Sequence, residues 1–167
     1  MRILKKGNNN TKCLAFTALV RPKLEYGVVC LDPHRGQVRA LNWVQKRAAK
    51  FANNINESGW ETLVQRRLVA RICAVLKAYT GGRAWKAIGN RLLNPCYLSR
   101  DDHNRKIRTR KQRTDVGKCY FVNRTIKSWN QLPAGLLASF PCKLNTFRKR
   151  VKNLVTSKGI QVGIQCK

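Results

Sequence analysis

Acidic residues are what this sequence lacks most: 7 Asp and Glu stand against 35 Lys and Arg in 167 residues, for a formal charge of +28. That shortage excludes much chemistry. Phosphoryl transfer with divalent metals needs carboxylates that converge on the ions. Here Glu25, Asp32, Glu57, Glu61 and Asp115 are mostly isolated, and Asp101 and Asp102 are adjacent, a spacing expected to point them apart. Only two histidines, His34 and His103, are present as bases for a Ser or Cys nucleophile. Neither a GxSxG elbow nor a glycine-rich phosphate loop occurs. The chain is expected to be non-catalytic on its own and to need no cofactor.

Long apolar runs are missing too. Nothing approaches the roughly 18 consecutive apolar residues of a spanning helix, so no membrane role is expected. The opening MRILKKGNNNTK has cations but no apolar core or small-residue cleavage site, unlike a secretory signal. An intracellular location, nuclear or cytoplasmic or both, follows. Paired cysteines are also lacking. The seven, Cys13, Cys30, Cys73, Cys96, Cys119, Cys142 and Cys166, form no CxxC pair, which argues against a zinc ribbon and a disulfide framework. Cys96, His103 and Cys119 are candidates for a shared metal by residue type alone, without the short paired spacing of strong zinc sites.

Cationic charge and helical periodicity are what the chain does have. A net charge this large repels itself and is relieved by a polyanion, which points to nucleic acid as partner. Apolar residues make up 43% of the chain, enough for a core if they are well placed. Residues 11–20 are helix-permissive, and Pro22 predicts a kink or end near Arg21. Residues 23–33 read as a short helix or extended piece. In residues 38–55, Val38, Leu41, Val44, Ala48, Phe51 and Ile55 recur at helical spacing, with Arg39, Lys46, Arg47 and Lys50 largely off that stripe. Ser58 and Glu61 form a capping-box pattern ahead of a helix carrying Val64, Leu68, Ile72, Val75 and Tyr79 on one face and Arg66, Arg67, Arg71 and Lys77 as cations. Gly81 and Gly82 stop it. A shorter helix follows near residues 83–93.

The character changes between Cys96 and Lys118. RKIRTRKQR, residues 105–113, holds six cations and no acid. Such density favours an extended, mobile arm. After it, FVNRTIKSWNQLP is expected to be a helix that docks through Val122, Ile126 and Trp129, with Arg124 and Lys127 outward and Pro133 just past its end. Leu144, Phe147, Val151, Leu154 and Val155 mark a last helix. Trp60 and Trp129 read as core, whereas Trp43 and Trp85 are candidates for stacking on bases. The expected fold is therefore all-α: several amphipathic helices in residues 1–95, a basic arm in 96–118, further helices in 119–157 and a frayed tail in 158–167. The chain shows no internal repeat.

Several stretches together resemble one family. ALVRPKLEYGVVCLDP, VQKRAAKF, GWETLVQRRLVARI, RTDVGKCYFVNRTIKSWNQLP and TFRKRVKNLV are similar in order and spacing to the C-terminal end of reverse transcriptases of jockey-like non-LTR retrotransposons. LVRPxLEYG and RTIxxWNxLP are the more specific patterns. The resemblance covers nearly the whole chain and implies the end of a thumb followed by a basic helical extension. The family's parent polypeptide carries an endonuclease and an RNA-directed DNA polymerase. Its metal-binding polymerase motif, Tyr or Phe followed by Ala-Asp-Asp, lies upstream in the family and is not found here. Leu31 stands where many relatives have Trp before Asp-Pro. Met1 falls where the thumb is already under way, which implies a fragment, a degraded copy or a separately expressed remnant.

The expected function is a grip on template RNA or an RNA/DNA hybrid. Its candidate contacts are Arg105, Lys106, Arg108, Arg110, Lys111 and Arg113 of the arm, supported by Lys46, Arg47, Arg66 and Arg67. The missing polymerase palm is a further candidate partner. Two other readings fit the composition: an inert translated relic of a retroelement, and an unrelated basic RNA-binding protein of ribosomal type.

Overall fold

A computed structural model of the chain describes residues 7–26, 35–51, 61–81, 86–90, 92–100, 102–109, 111, 113–114, 121–138 and 142–158. Among these, every regular element is helical, so the fold is all-α. The chain divides into two compact units, Met1–Val64 and Gln65–Lys167.

The first unit opens with helix α1, Asn9–Ala15. Asn8 caps it, its Oδ1 accepting from the Thr11 amide at 2.8 Å and so occupying one of the unpaired donors of the first turn. The break expected at Pro22 takes a specific form. Pro22 has no amide to offer the Ala18 carbonyl, and the backbone widens into a π turn over Phe16–Val20, where the Arg21 amide reaches Phe16 O. Helix α2, Arg21–Glu25, then continues with proline in its first turn, a position that tolerates the missing donor. An Arg21–Glu25 ion pair of 2.9 Å lies along it.

Helix α3 spans Arg35–Phe51. Its buried side differs from the expected stripe. Val44 and Phe51 are exposed, whereas Gln45 and Ala49 are buried and Leu41 and Ala48 half buried. The helix is rotated so that Leu41 and Ala48 pack on Phe16, Leu24 and Leu63. Gln45 is tolerated inside because its Nε2 donates to the Glu61 carbonyl at 3.0 Å, satisfying a polar group that would otherwise be costly to bury. Ser58 of the expected capping box lies outside the described residues.

Helix α4, Leu63–Tyr79, is buried more completely than a one-sided stripe implies. Residues 71–76 are all buried, and Arg67 with them. Burial pulls the Arg71 guanidinium below its usual range. Gly81 closes the helix with φ +76°, the left-handed position that favours glycine. Helix α5, Lys86–Gly89, ends before the expected Leu93, and residues 82–85 and 91 lie outside the described set.

Helix α6, Phe121–Asn130, docks as its spacing predicts: Val122, Ile126 and Trp129 are buried, together with Leu132. Pro133 does more than end it. The Pro133 carbonyl accepts from Leu136 N at 3.0 Å at the start of a short, unanticipated helix α7, Ala134–Ala138, which buries Leu136 and Leu137. Helix α8, Leu144–Lys158, packs beside it and buries Phe147, Val151 and Val155. Three helices meet at Trp129, whose ring stacks on Tyr79 of α4 at 6.1 Å and 24°. On its other neighbour, Phe147 of α8, it is tilted at 6.1 Å and 39°. Deleting an aromatic so placed typically costs about 3–5 kcal/mol.

Candidate nucleic-acid interface

The basic segment is not a free arm along its first half. Backbone groups in an extended, charged stretch normally turn to water, but here three of them are met by the last two residues of α6. Trp129 Nε1 donates to Arg105 O at 2.9 Å. Asn130 holds Ile107 from both sides, its Oδ1 accepting from Ile107 N at 2.9 Å while its Nδ2 donates to Ile107 O at 2.8 Å. A primary amide has one acceptor and donors in one plane, so it imitates a strand partner for a single residue. The Ile107 side chain is 2% exposed, an apolar peg between two cationic stretches. Arg108 N donates to Leu93 O at 2.8 Å, which extends the restraint by one residue.

His103 adds a further tie. It is buried, and its Nε2 lies 3.2 Å from Trp129 O. A carbonyl only accepts, so the neutral ring carries its proton on Nε2. Nδ1 is then a lone pair without a hydrogen-bond partner. Burial pushes the imidazole below its ordinary pKa, against the Trp129 carbonyl and Asp102, which favour the cation. This arrangement occupies His103 structurally. Cys96 is exposed, Cys119 lies outside the described residues, and no group of three His, Cys, Asp or Glu suited to a metal occurs among the described residues.

The six cations of the segment are consequently unequal. Arg105 is half buried, with its guanidinium 5.6 Å from the Tyr79 ring centroid. Lys106 Nζ donates to Asp102 Oδ1 at 2.6 Å. Asp102, which also accepts from Ser99 N at 3.0 Å, is held below the usual carboxylate range, the Lys106 bond being the largest cause. Arg108, Lys111 and Arg113 are exposed, and Arg110 lies outside the described residues.

On α3, Lys46 and Arg47 are exposed as expected. They belong to a larger set. At 3.6 residues per turn, Arg39, Trp43, Lys46, Arg47 and Lys50 fall within an arc of about 100°. All five are exposed, and no acid occurs in the helix. Arg39 and Lys50 are not among the contacts expected from sequence, although spacings of four, seven and eleven residues place them with the others. Arg66 and Arg67 differ from the expectation of outward cations: the first is half buried and the second 8% exposed, because α4 is covered nearly all round and long aliphatic stems can lie along a core. On α6, Lys127 is exposed while Arg124 is half buried, its guanidinium pulled below its usual range by burial. Further exposed cations, Arg148, Lys149 and Lys152, lie on α8.

No protein-family model, curated protein or solved structure matches this chain.

Proposed function

We propose that the chain is the thumb end and basic extension of a jockey-like non-LTR retrotransposon reverse transcriptase, and that it grips template RNA or an RNA/DNA hybrid without performing the polymerisation itself. The observation that carries this reading is the hold of Trp129 and Asn130 on the basic segment. These two residues are the Trp-Asn of RTIxxWNxLP, the pattern on which the family resemblance rests. The backbone held from Arg105 to Arg108 presents Arg108 to solvent at a position that does not need to be ordered when a phosphate strand arrives, which lowers the entropic cost of binding, and Lys111 and Arg113 are exposed beyond it. Guanidinium groups suit phosphate oxygens by geometry as well as charge.

The test is binding to structured RNA, single-stranded DNA and duplex DNA across salt, comparing the native chain with one in which the six cations of residues 105–113 are changed to Gln. Each phosphate contact contributes about 0.7 to 0.9 to the slope of log affinity against log salt. Loss of the three exposed cations alone should flatten that slope by about 2 to 3. An unchanged slope would remove the basic segment from the interface.

A further inference from the structure

The α3 face holds a feature that phosphate contact does not use. Trp43, at its centre, is 58% exposed. It is accompanied by Arg47, one turn on, whose guanidinium lies 4.8 Å from its ring centroid. One further turn brings Phe51, 41% exposed, with Lys12 Nζ 5.4 Å from its ring centroid. Trp43, Arg47 and Phe51 therefore form one ridge at spacings of four residues, in which planar apolar groups alternate with cations. The two aromatics are about 12 Å apart along the axis. Arg39, Lys46 and Lys50 flank this ridge without an acid in the helix.

A solvent-facing Trp is expensive to leave uncovered, and a duplex offers it little, since the faces of paired bases are hidden in the stack. An unpaired strand offers those faces, and grooves for single strands combine cations for the backbone with aromatic platforms for the bases. A guanidinium already lying over an aromatic can continue such a stack. We infer that the Arg39–Lys50 face of α3 is a stacking platform for an unpaired nucleic-acid strand, with Trp43 and Arg47 meeting a base while Arg39, Lys46 and Lys50 meet its phosphates. The inference rests on the nucleic-acid reading above but assigns it a second surface and a strandedness.

The experiment uses the full chain and three probes: an unstructured RNA of about 15 nucleotides, DNA of the same sequence, and its blunt duplex. Trp43→Ala should weaken single-strand binding about 10-fold while changing duplex binding less than about 2-fold and leaving the salt slope unaltered. Trp43→Phe, which keeps a stacking face, should retain most of the affinity, with the strand-dependent quenching of tryptophan fluorescence diminished. Lys46→Gln with Lys50→Gln should flatten the single-strand slope by about 1.4. Loss on either the RNA or the DNA strand supports the platform and tells which strand it prefers. Equal loss on single strand and duplex, or no loss at all, overturns it. If the variant of residues 105–113 loses slope while Trp43→Ala changes nothing, the platform fails and the proposed function stands. If the native chain binds neither these probes nor structured RNA in roughly 50 mM salt, both fall.

Discussion

His103 has one ring nitrogen committed and one left over, and that asymmetry sets a pH dependence. Burial favours the neutral ring in the folded chain, whereas in the unfolded chain the imidazole takes up its proton near pH 6.5. The unfolded state therefore binds the additional proton first as pH falls. The stability associated with His103 is complete above about pH 6.5 and is lost as pH drops from there through the lowered folded value. Only two histidines occur in the chain, and most carboxylates stay ionised above pH 5, so the signal should be separable. Urea unfolding at pH 7.5 and pH 5 should give a lower midpoint at the acid end, and His103→Gln, whose amide can still reach Trp129 O, should flatten the difference. An identical pH dependence in that variant, with His34→Gln as the control, would rule His103 out as its source. By residue type alone His103 is a metal candidate, because sequence shows no partner for it. Its contact with the Trp129 carbonyl crosses 26 residues, a separation that no local pattern encodes.

Helices were legible in the sequence as existence and as period, less so as phase. The docking face of α6 and the stripe of α8 could be read directly because each buries one side only, with Val122, Ile126, Trp129, Phe147, Val151 and Val155 all inside. On α3 the phase turned towards Gln45, because a backbone carbonyl at Glu61 was available to satisfy its amide. Hydrophobicity alone would have placed Val44 there instead. On α4 two arginines went inward, and over residues 105–108 one isoleucine and two hydrogen-bonding side chains hold backbone that the charge pattern predicted to be extended and mobile. Helix α5 adds a constraint of a different kind, close approach. A Cβ built on Gly89 would lie 2.7 Å from the Ala78 carbonyl oxygen of α4, a backbone atom that cannot swing aside as a side-chain tip can. Gly89→Ala should therefore force the two segments apart and destabilise the chain by about 1–3 kcal/mol, the usual range for overpacking. Gly135→Ala is the matched control, since no atom lies within 4 Å of an added Cβ there. Equal unfolding midpoints for the two variants would show that the α4–α5 approach is not tight.

At the scale of the whole molecule the charge of +28 governs behaviour, and it is felt by the folded state and by its ligand in opposite directions. In the compact chain, cations are closer together than in the unfolded one, so their repulsion opposes folding. Only 7 acids are available to offset it; two of the pairs among the described residues, Arg21–Glu25 and Lys106–Asp102, are partly exposed, and such pairs are individually worth about 0–1 kcal/mol. Raising sodium chloride from 0.1 to 1 M shortens the screening length from about 10 to about 3 Å, which weakens the many repulsions more than the few attractions. The free chain should accordingly melt at a higher temperature in 1 M salt. A bound polyanion reverses the sign. At low salt it neutralises the same cations and raises the melting temperature by mass action, and that increment should shrink as salt displaces it. Chloride is the anion to use, because sulfate strengthens apolar burial by itself. Two thermal melts against salt, one with and one without a single-stranded RNA, should converge from different sides as salt rises. A free chain whose melting temperature falls steadily with added chloride would mean that attractions between charges, not repulsion, govern its stability, and that the need for an anionic partner has been misread from composition.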